Sequence, residues 1–278
     1  MDVGEEGILE CKARGQFRKD KLIPCVGDKV AVSVDNTGNG FINSISKRSN
    51  IFIRPPVANI DALVIVVSLK NPEPDLVFLD KMLAISQCKN VEALICFNKA
   101  DLDDGDVSQL VNIYNKAGYK TIVSSTVNMD GINSLKNFLK GKTTAFSGFS
   151  GVGKSSLVNS IKDSGVMETG EISLRLGRGK HTTRHVELIK YAGGYIVDTP
   201  GFSMLDFPEE VTKDVLCECF PEFSQFSDHC KFRDCNHTGA NNVCAVAQAV
   251  SDGHISSSRH KNYIEFYKQL SQRKDWKK

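Results

Sequence analysis

The sequence predicts a multi-domain chain in three parts: an N-terminal OB-type β-barrel, a central α/β phosphate-loop domain, and a small, mainly helical C-terminal domain held by metal-ligating side chains. Three observations carry this. Apolar, strand-sized runs at 62–69, 91–97 and 121–124 alternate with helix-like segments at 76–87, 107–117 and 132–139, the pattern of a mostly parallel sheet with helices on both faces. Between a β-prone segment at 143–146 and a helix-like one at 154–161 stands Gly148-Phe149-Ser150-Gly151-Val152-Gly153-Lys154-Ser155, a G-x-x-x-x-G-K-S pattern followed by Ser156. Finally, Cys230, Cys235, His237 and Cys244 cluster near the C-terminus.

The first 50 residues alternate short strands, at 7–14 and 29–34, with turns at Gly15, Pro24, Gly27-Asp28 and 36–40, which suits a small barrel. Arg14, Arg18, Lys19, Lys21 and Lys29 with Phe17 form either an RNA-binding face or a plain solvated surface. Residues 47–58, with Arg54-Pro55-Pro56, read as an extended linker because tandem prolines stiffen the chain. Segments 186–191 and 195–197, joined by Ala192-Gly193-Gly194, read as a hairpin on the central sheet. The expected domains are 1–50, 51–206 and 207–278.

The composition constrains function mainly by exclusion. With a net charge of +2, any nucleic-acid role has to rest on local patches. No apolar run reaches membrane length and no leader opens the chain, so a cytoplasmic protein without membrane contact is expected. Nine cysteines, an odd number scattered over 278 residues, do not suggest a disulfide framework; Cys88 and Cys96 are expected to be isolated buried thiols.

The glycines of the phosphate loop let successive N–H groups face phosphate oxygens at a helix N-terminus. Lys154 would reach the β- and γ-phosphates, and the Ser155 hydroxyl would hold Mg²⁺. Asn98-Lys99-Ala100-Asp101 follows the strand at 91–97. A carboxylate at Asp101 accepts from both N1 and N2 of guanine, which adenine cannot offer, so the bound nucleotides are GTP and GDP. Asn98 would support this pocket, the Lys99 stem would lie along the base, and Ser124 and Ser125 would back it by main-chain contacts. Asp198-Thr199-Pro200-Gly201 offers a carboxylate that reaches Mg²⁺ through water and a Gly201 N–H that senses the γ-phosphate. In the stretch 177–185, Thr182 or Thr183, with Thr183 favoured, would complete the Mg²⁺ shell. Phe202 stands where Ras-like enzymes carry a water-orienting glutamine, so intrinsic turnover should be slow; His181, then His185, is the candidate to place the water. Three thiolates and an imidazole make a closed structural Zn²⁺ set, with His229 a lesser rival to His237 and with Cys217 and Cys219 as packing residues. Beyond it, Arg259, His260, Lys261, Lys268, Arg273, Lys274, Lys277 and Lys278 lie near Tyr263, Phe266 and Tyr267, either a basic helix face for rRNA or a solvated helix packing its aromatics on the metal module.

The motif order is unusual: base recognition first, then phosphate loop, threonine loop and Asp-Gly turn. Since all lie at the carboxyl ends of strands in one sheet, a cyclic shift of the chain leaves such a site intact. With these residues in view, the chain resembles the circularly permuted small-ribosomal-subunit biogenesis GTPases of the RsgA/YjeQ family. The resemblance runs through Arg14-Gly15-Gln16-Phe17-Arg18, Val26-Gly27-Asp28-Lys29-Val30, Arg54-Pro55-Pro56-Val57-Ala58-Asn59-Ile60-Asp61, the two nucleotide motifs, His181-Thr182-Thr183, residues 198–202 and the Cys cluster. It implies an OB domain, a permuted GTPase core, a zinc domain, binding at the decoding region of the 30S subunit, and hydrolysis of GTP stimulated by that subunit; 16S rRNA as a partner and a monomeric chain are expected as well. The competing expectation is an OB-plus-zinc RNA-binding protein in which GTP is a static ligand; an ATP-dependent small-molecule kinase is disfavoured by Asp101.

Overall fold

The computed structural model describes the chain except residues 5, 6, 14, 16, 18–21, 54, 104, 106, 163–185, 203–205, 240–242 and 274–278; of residues 198–202 it describes the backbone alone. The N-terminal part contains β1 (Cys11–Ala13), β2 (Val30–Val34) and β3 (Gly40–Ile45) in a sheet of order β1-β3-β2. A separate hairpin follows, β4 (Ile51–Ile53) with β5 (Pro56–Ala58). The two are joined by a parallel bridge between Val26 and Val57 and by the Asn59 amide donating to Gly27 O at 2.9 Å.

This hairpin replaces the linker expected at 47–58. Phe52 and Val57 are fully buried, and Asn50 closes the turn-back, bonding Ile60 through both its carbonyl and its amide. The prolines stop helix formation here, but Pro56 starts a two-stranded edge where its missing N–H costs nothing. Phe17 is likewise 8% exposed, so it packs inward and does not offer a ring for base stacking.

The core is a six-stranded sheet of order β10-β11-β9-β6-β7-β8, built from β6 (Ala62–Ser68), β7 (Glu92–Asn98), β8 (Lys120–Ser124), β9 (Thr143–Ser147), β10 (Glu187–Tyr191) and β11 (Gly194–Phe202). All neighbours are parallel except the β10–β11 hairpin at the edge. Every residue of β6 is buried, as a central strand covered on both faces requires. Successive side chains alternate faces. Leu63, Ile65 and Val67 join the core under α1 (Leu76–Cys88) and α2 (Val107–Lys116), while Val64 and Val66 join the one under α3 (Ile132–Leu139) and α4 (Lys154–Lys162). Asp75 caps α1, its carboxylate accepting from Phe78 N at 2.8 Å. Among the described residues, no helix is long and apolar enough to cross a membrane.

The C-terminal part, with α5 (Ser224–Ser227), α6 (Ala245–Ser251) and α7 (Ser257–Ser271), packs on the α1/α2 face. Tyr263 and Phe266 of α7 sit edge-on to Phe220 and Phe207, each at 5.2 Å. Arg259 departs from the basic face expected of this helix. It is 1% exposed, and its guanidinium bonds Glu222 through Nε and Nη2 and Asp80 of α1 through Nη1. Losing one member of such a buried set leaves uncompensated charge and costs about 3–5 kcal/mol. Cys96 is buried as expected, but Cys88 is half-buried and its thiol meets that of Cys219, so it is not isolated.

Candidate active site and metal centre

The carboxyl edge of the sheet gathers the segments expected to bind nucleotide. The phosphate loop leaves β9 at Gly148, whose φ is 145°; a Cβ there would fall 2.4 Å from Val66 O on the central strand. Val152 is buried and anchors the loop in the α3/α4 core, while Ser150 and Gly151 stay exposed. Gly153, at φ 96°, lies so close to Asn98 that a Cβ would come within 2.3 Å of its Nδ2. That amide donates to Val152 O at 2.9 Å, and Asn98 Oδ1 accepts from Ser124 Oγ at 3.0 Å. One buried side chain thus ties the ends of β7 and β8 to the loop after β9. Asn98, expected to support a base pocket, thus also holds the loop after β9, a bond with no signature in the sequence.

Lys99 takes a left-handed conformation, φ 64°, and its ammonium bonds Asn71 O. This turns the chain into a 3-10 turn, Ala100–Leu102, on which Asp101 stands exposed. Ser125 Oγ donates to Asp101 Oδ1 at 2.5 Å and itself accepts from Val127 N and Asn128 N. Ser125 is fully buried, so the carboxylate is held from beneath while its residue remains at the surface.

Lys154 opens α4, and its ammonium bonds Gly148 O at 2.8 Å and Phe149 O at 2.6 Å, arching over the loop. Burial holds its pKa below the usual lysine value. Ser155 and Ser156 are exposed on the first turn of α4. The Phe149 ring packs 4.4 Å from Phe78 of α1, a contact without any motif signature.

The expected turn at 198–201 is instead a bulged continuation of β11. Val197 pairs with Ala145 and Phe202 with Ser147, so the intervening backbone, Asp198 and Gly201 included, bulges out beside the end of β9 where the phosphate loop begins. His181, Thr182, Thr183 and His185 lie outside the described residues.

Near the C-terminus, one ligand atom from each of Cys230, Cys235, His237 and Cys244 lies within 4.8 Å of the others. His237 Nδ1 is 3.5 Å from Cys230 Sγ and 3.7 Å from Cys244 Sγ. A zinc tetrahedron with its usual bond lengths has edges of about 3.5–3.8 Å, so the donor set fits that ion. Ala245 N donates to Cys230 Sγ and Ala247 N to Cys244 Sγ, contacts that stabilise thiolate ligands. Burial, then the neighbouring His260, holds His237 below the usual imidazole range, leaving it neutral as a ligand must be. His229 is exposed and outside the set, and Cys219 is buried as a packing residue.

The family model described as RsgA GTPase matches residues 45–208, and that of the RsgA N-terminal domain matches residues 3–42. The small ribosomal subunit biogenesis GTPase RsgA of Caldanaerobacter subterraneus subsp. tengcongensis is 42% identical over 97% of this chain and 91% of its own. The chain belongs to the RsgA GTPase family. The RsgA protein of Geobacillus thermodenitrificans is 41% identical over 98% of this chain and 94% of its own. Among solved structures, YjeQ from Thermotoga maritima superposes with a TM-score of 0.82 at 37% identity, covering 97% of this chain and 93% of that one. YloQ, described as a circularly permuted GTPase, gives 0.80 at 34% identity over 98% and 90%. The RsgA fold is therefore that of a circularly permuted GTPase with an N-terminal domain, and its enzyme class is GTP hydrolysis.

Proposed function

We propose that this RsgA-family chain is a monomeric, cytoplasmic GTPase of small-subunit assembly that binds GTP, joins the 30S subunit through 16S rRNA, and leaves after hydrolysis to GDP and phosphate. The observation that carries it is the Asn98 bond to Val152 O, which draws base-recognition and phosphate-binding segments together against their order in sequence. In this reading residues 148–156 cradle the phosphates, Lys154 meets the β- and γ-phosphates, and Asp101 reads the guanine edge with Ser124 and Ser125 behind it. Ser155, Thr183 and, through water, Asp198 are oxygen donors suited to Mg²⁺. When bound, that ion neutralises the charge developing on the γ-phosphate. Gly201 N–H would face the same phosphate and His181 would orient water. Residues 1–50 serve as an OB-type RNA-binding domain, 51–206 as the GTPase domain, and 207–278 as a domain stabilised by Zn²⁺ on its three cysteines and histidine.

Asp101→Asn replaces an acceptor facing N2 by a donor. It is expected to weaken GTP binding by about 10⁴-fold and to favour xanthosine triphosphate, whose C2 carbonyl accepts where guanine donates. Competition binding with the two nucleotides checks it.

Phe202, unable to orient water, favours the second reading, in which GTP is a static ligand of an RNA-binding protein. GTP turnover with and without purified 30S subunits separates the two. Stimulation of at least tenfold is expected, and an unchanged rate supports the static ligand.

A further inference from the structure

The segment leading into α1, together with the first turns of that helix, touches three parts of the molecule that lie far apart in sequence. Asn71 O receives the Lys99 ammonium, and Pro72 Cδ lies 3.9 Å from where a Cβ on Gly151 would stand. One turn further on, Phe78, 6% exposed, packs on Phe149 in the phosphate loop. On its other side the same turn is gripped by α7. Asp80, 1% exposed, accepts from Arg259 Nη1 at 2.5 Å and from Asn262 Nδ2 at 2.7 Å, and Asn262 Nδ2 also donates to Leu76 O. Arg259 is itself fixed by Glu222 and lies over the ring of Phe220 at 5.1 Å.

The C-terminal module therefore holds the helix turn that leans on the loop. Phe149 and Gly148 supply the carbonyls over which the Lys154 ammonium folds. Turning the peptide at Phe149 redirects the groups that line the phosphate path, and displacements near 1 Å in such sites cost up to about a hundredfold.

We propose that Phe78 is a positioning residue for nucleotide binding. Clamped through Asp80 by Arg259 and Asn262, it sets the phosphate loop by pressing on Phe149, so the C-terminal module governs how long GDP stays bound. This rests on reading residues 148–155 as the phosphate loop.

The test uses the full-length, zinc-loaded protein and follows release of a fluorescent GDP analogue by stopped flow, with zinc content and Tm recorded alongside. Phe78→Leu keeps an apolar side chain but removes the ring, and release is expected about three- to tenfold faster. Asn262→Ala is expected to accelerate release less, and the double variant to release no faster than Phe78→Leu alone, since both act through one contact. Wild-type release from Phe78→Leu, or accelerations that simply multiply, overturns the proposal. Should Phe78→Leu fail to fold, Phe149→Leu removes the same contact from the half-buried loop side. The same acceleration supports the proposal, and wild-type release refutes it. Lys154→Ala distinguishes the two levels of inference. If it abolishes GDP binding while Phe78→Leu behaves as wild type, only the positioning role fails; if it binds GDP undiminished, the phosphate-loop reading fails.

Discussion

Lys154→Ala is expected to lower GTP hydrolysis about 10²–10³-fold, the usual cost of removing one preorganised group that stabilises developing negative charge. The ammonium is the one cation of the loop and already sits within hydrogen-bond reach of two loop carbonyls, so it needs only a short swing toward the phosphates. Its partial burial strengthens the effect, because charge interactions there are screened less than in water. The fold should survive, since both partners of Lys154 are carbonyls of its own loop and its loss strands no buried counter-charge. Steady-state phosphate release and thermal melting, run on the same preparation, check both halves: a fall in rate without a fall in Tm.

Stripping the Zn²⁺ proposed for the Cys–His set is the second large perturbation. Chelation, or Cys244→Ser, is expected to unfold the C-terminal module. Structural zinc sites of this ligand type supply about 10–16 kcal/mol of apparent binding free energy near neutral pH, more than a small module can replace from its own core. The packing explains why damage would spread. Cys244 is fully buried and caps α6, and the Tyr263 hydroxyl donates to Asn236 O beside His237 of the Cys–His set. Tyr263 in turn packs on Phe223 and on Phe220, the ring that also lies under the Arg259 guanidinium. Elemental analysis for zinc and near-UV circular dichroism follow the loss, with far-UV signal from the sheet largely retained. A native aromatic spectrum after complete zinc removal would contradict it.

The parts of this molecule legible in the sequence are those written in local rules. The strands at 62–69, 91–97 and 121–124 and the helix at 132–139 follow from periodicity, and the phosphate loop from spacing of glycines that must turn under Val66 and Asn98. The Cys–His set followed from ligand chemistry and is brought together as expected. What escaped depends on partners far away in the chain. Pro55 and Pro56 argue for an extended linker until Phe52 and Val57 find burial against the core. Arg259 looks like one more surface cation of a basic helix because nothing nearby in sequence announces Asp80 and Glu222. Phe78 reads as an ordinary core position of α1, and only the fold reveals that its neighbour is the phosphate loop. The bulge at 198–201 escaped because a Pro-Gly pair signals a turn, whereas pairing of Phe202 with Ser147 keeps the strand going.

The crowding between Gly153 and Asn98 also limits how the molecule can diverge. A methyl group at 153 would collide with the amide at 98, and a shorter residue at 98 would leave the Val152 carbonyl without that donor. Neither position can drift alone. Lineages of this fold should therefore change residues 98 and 153 together, or not at all.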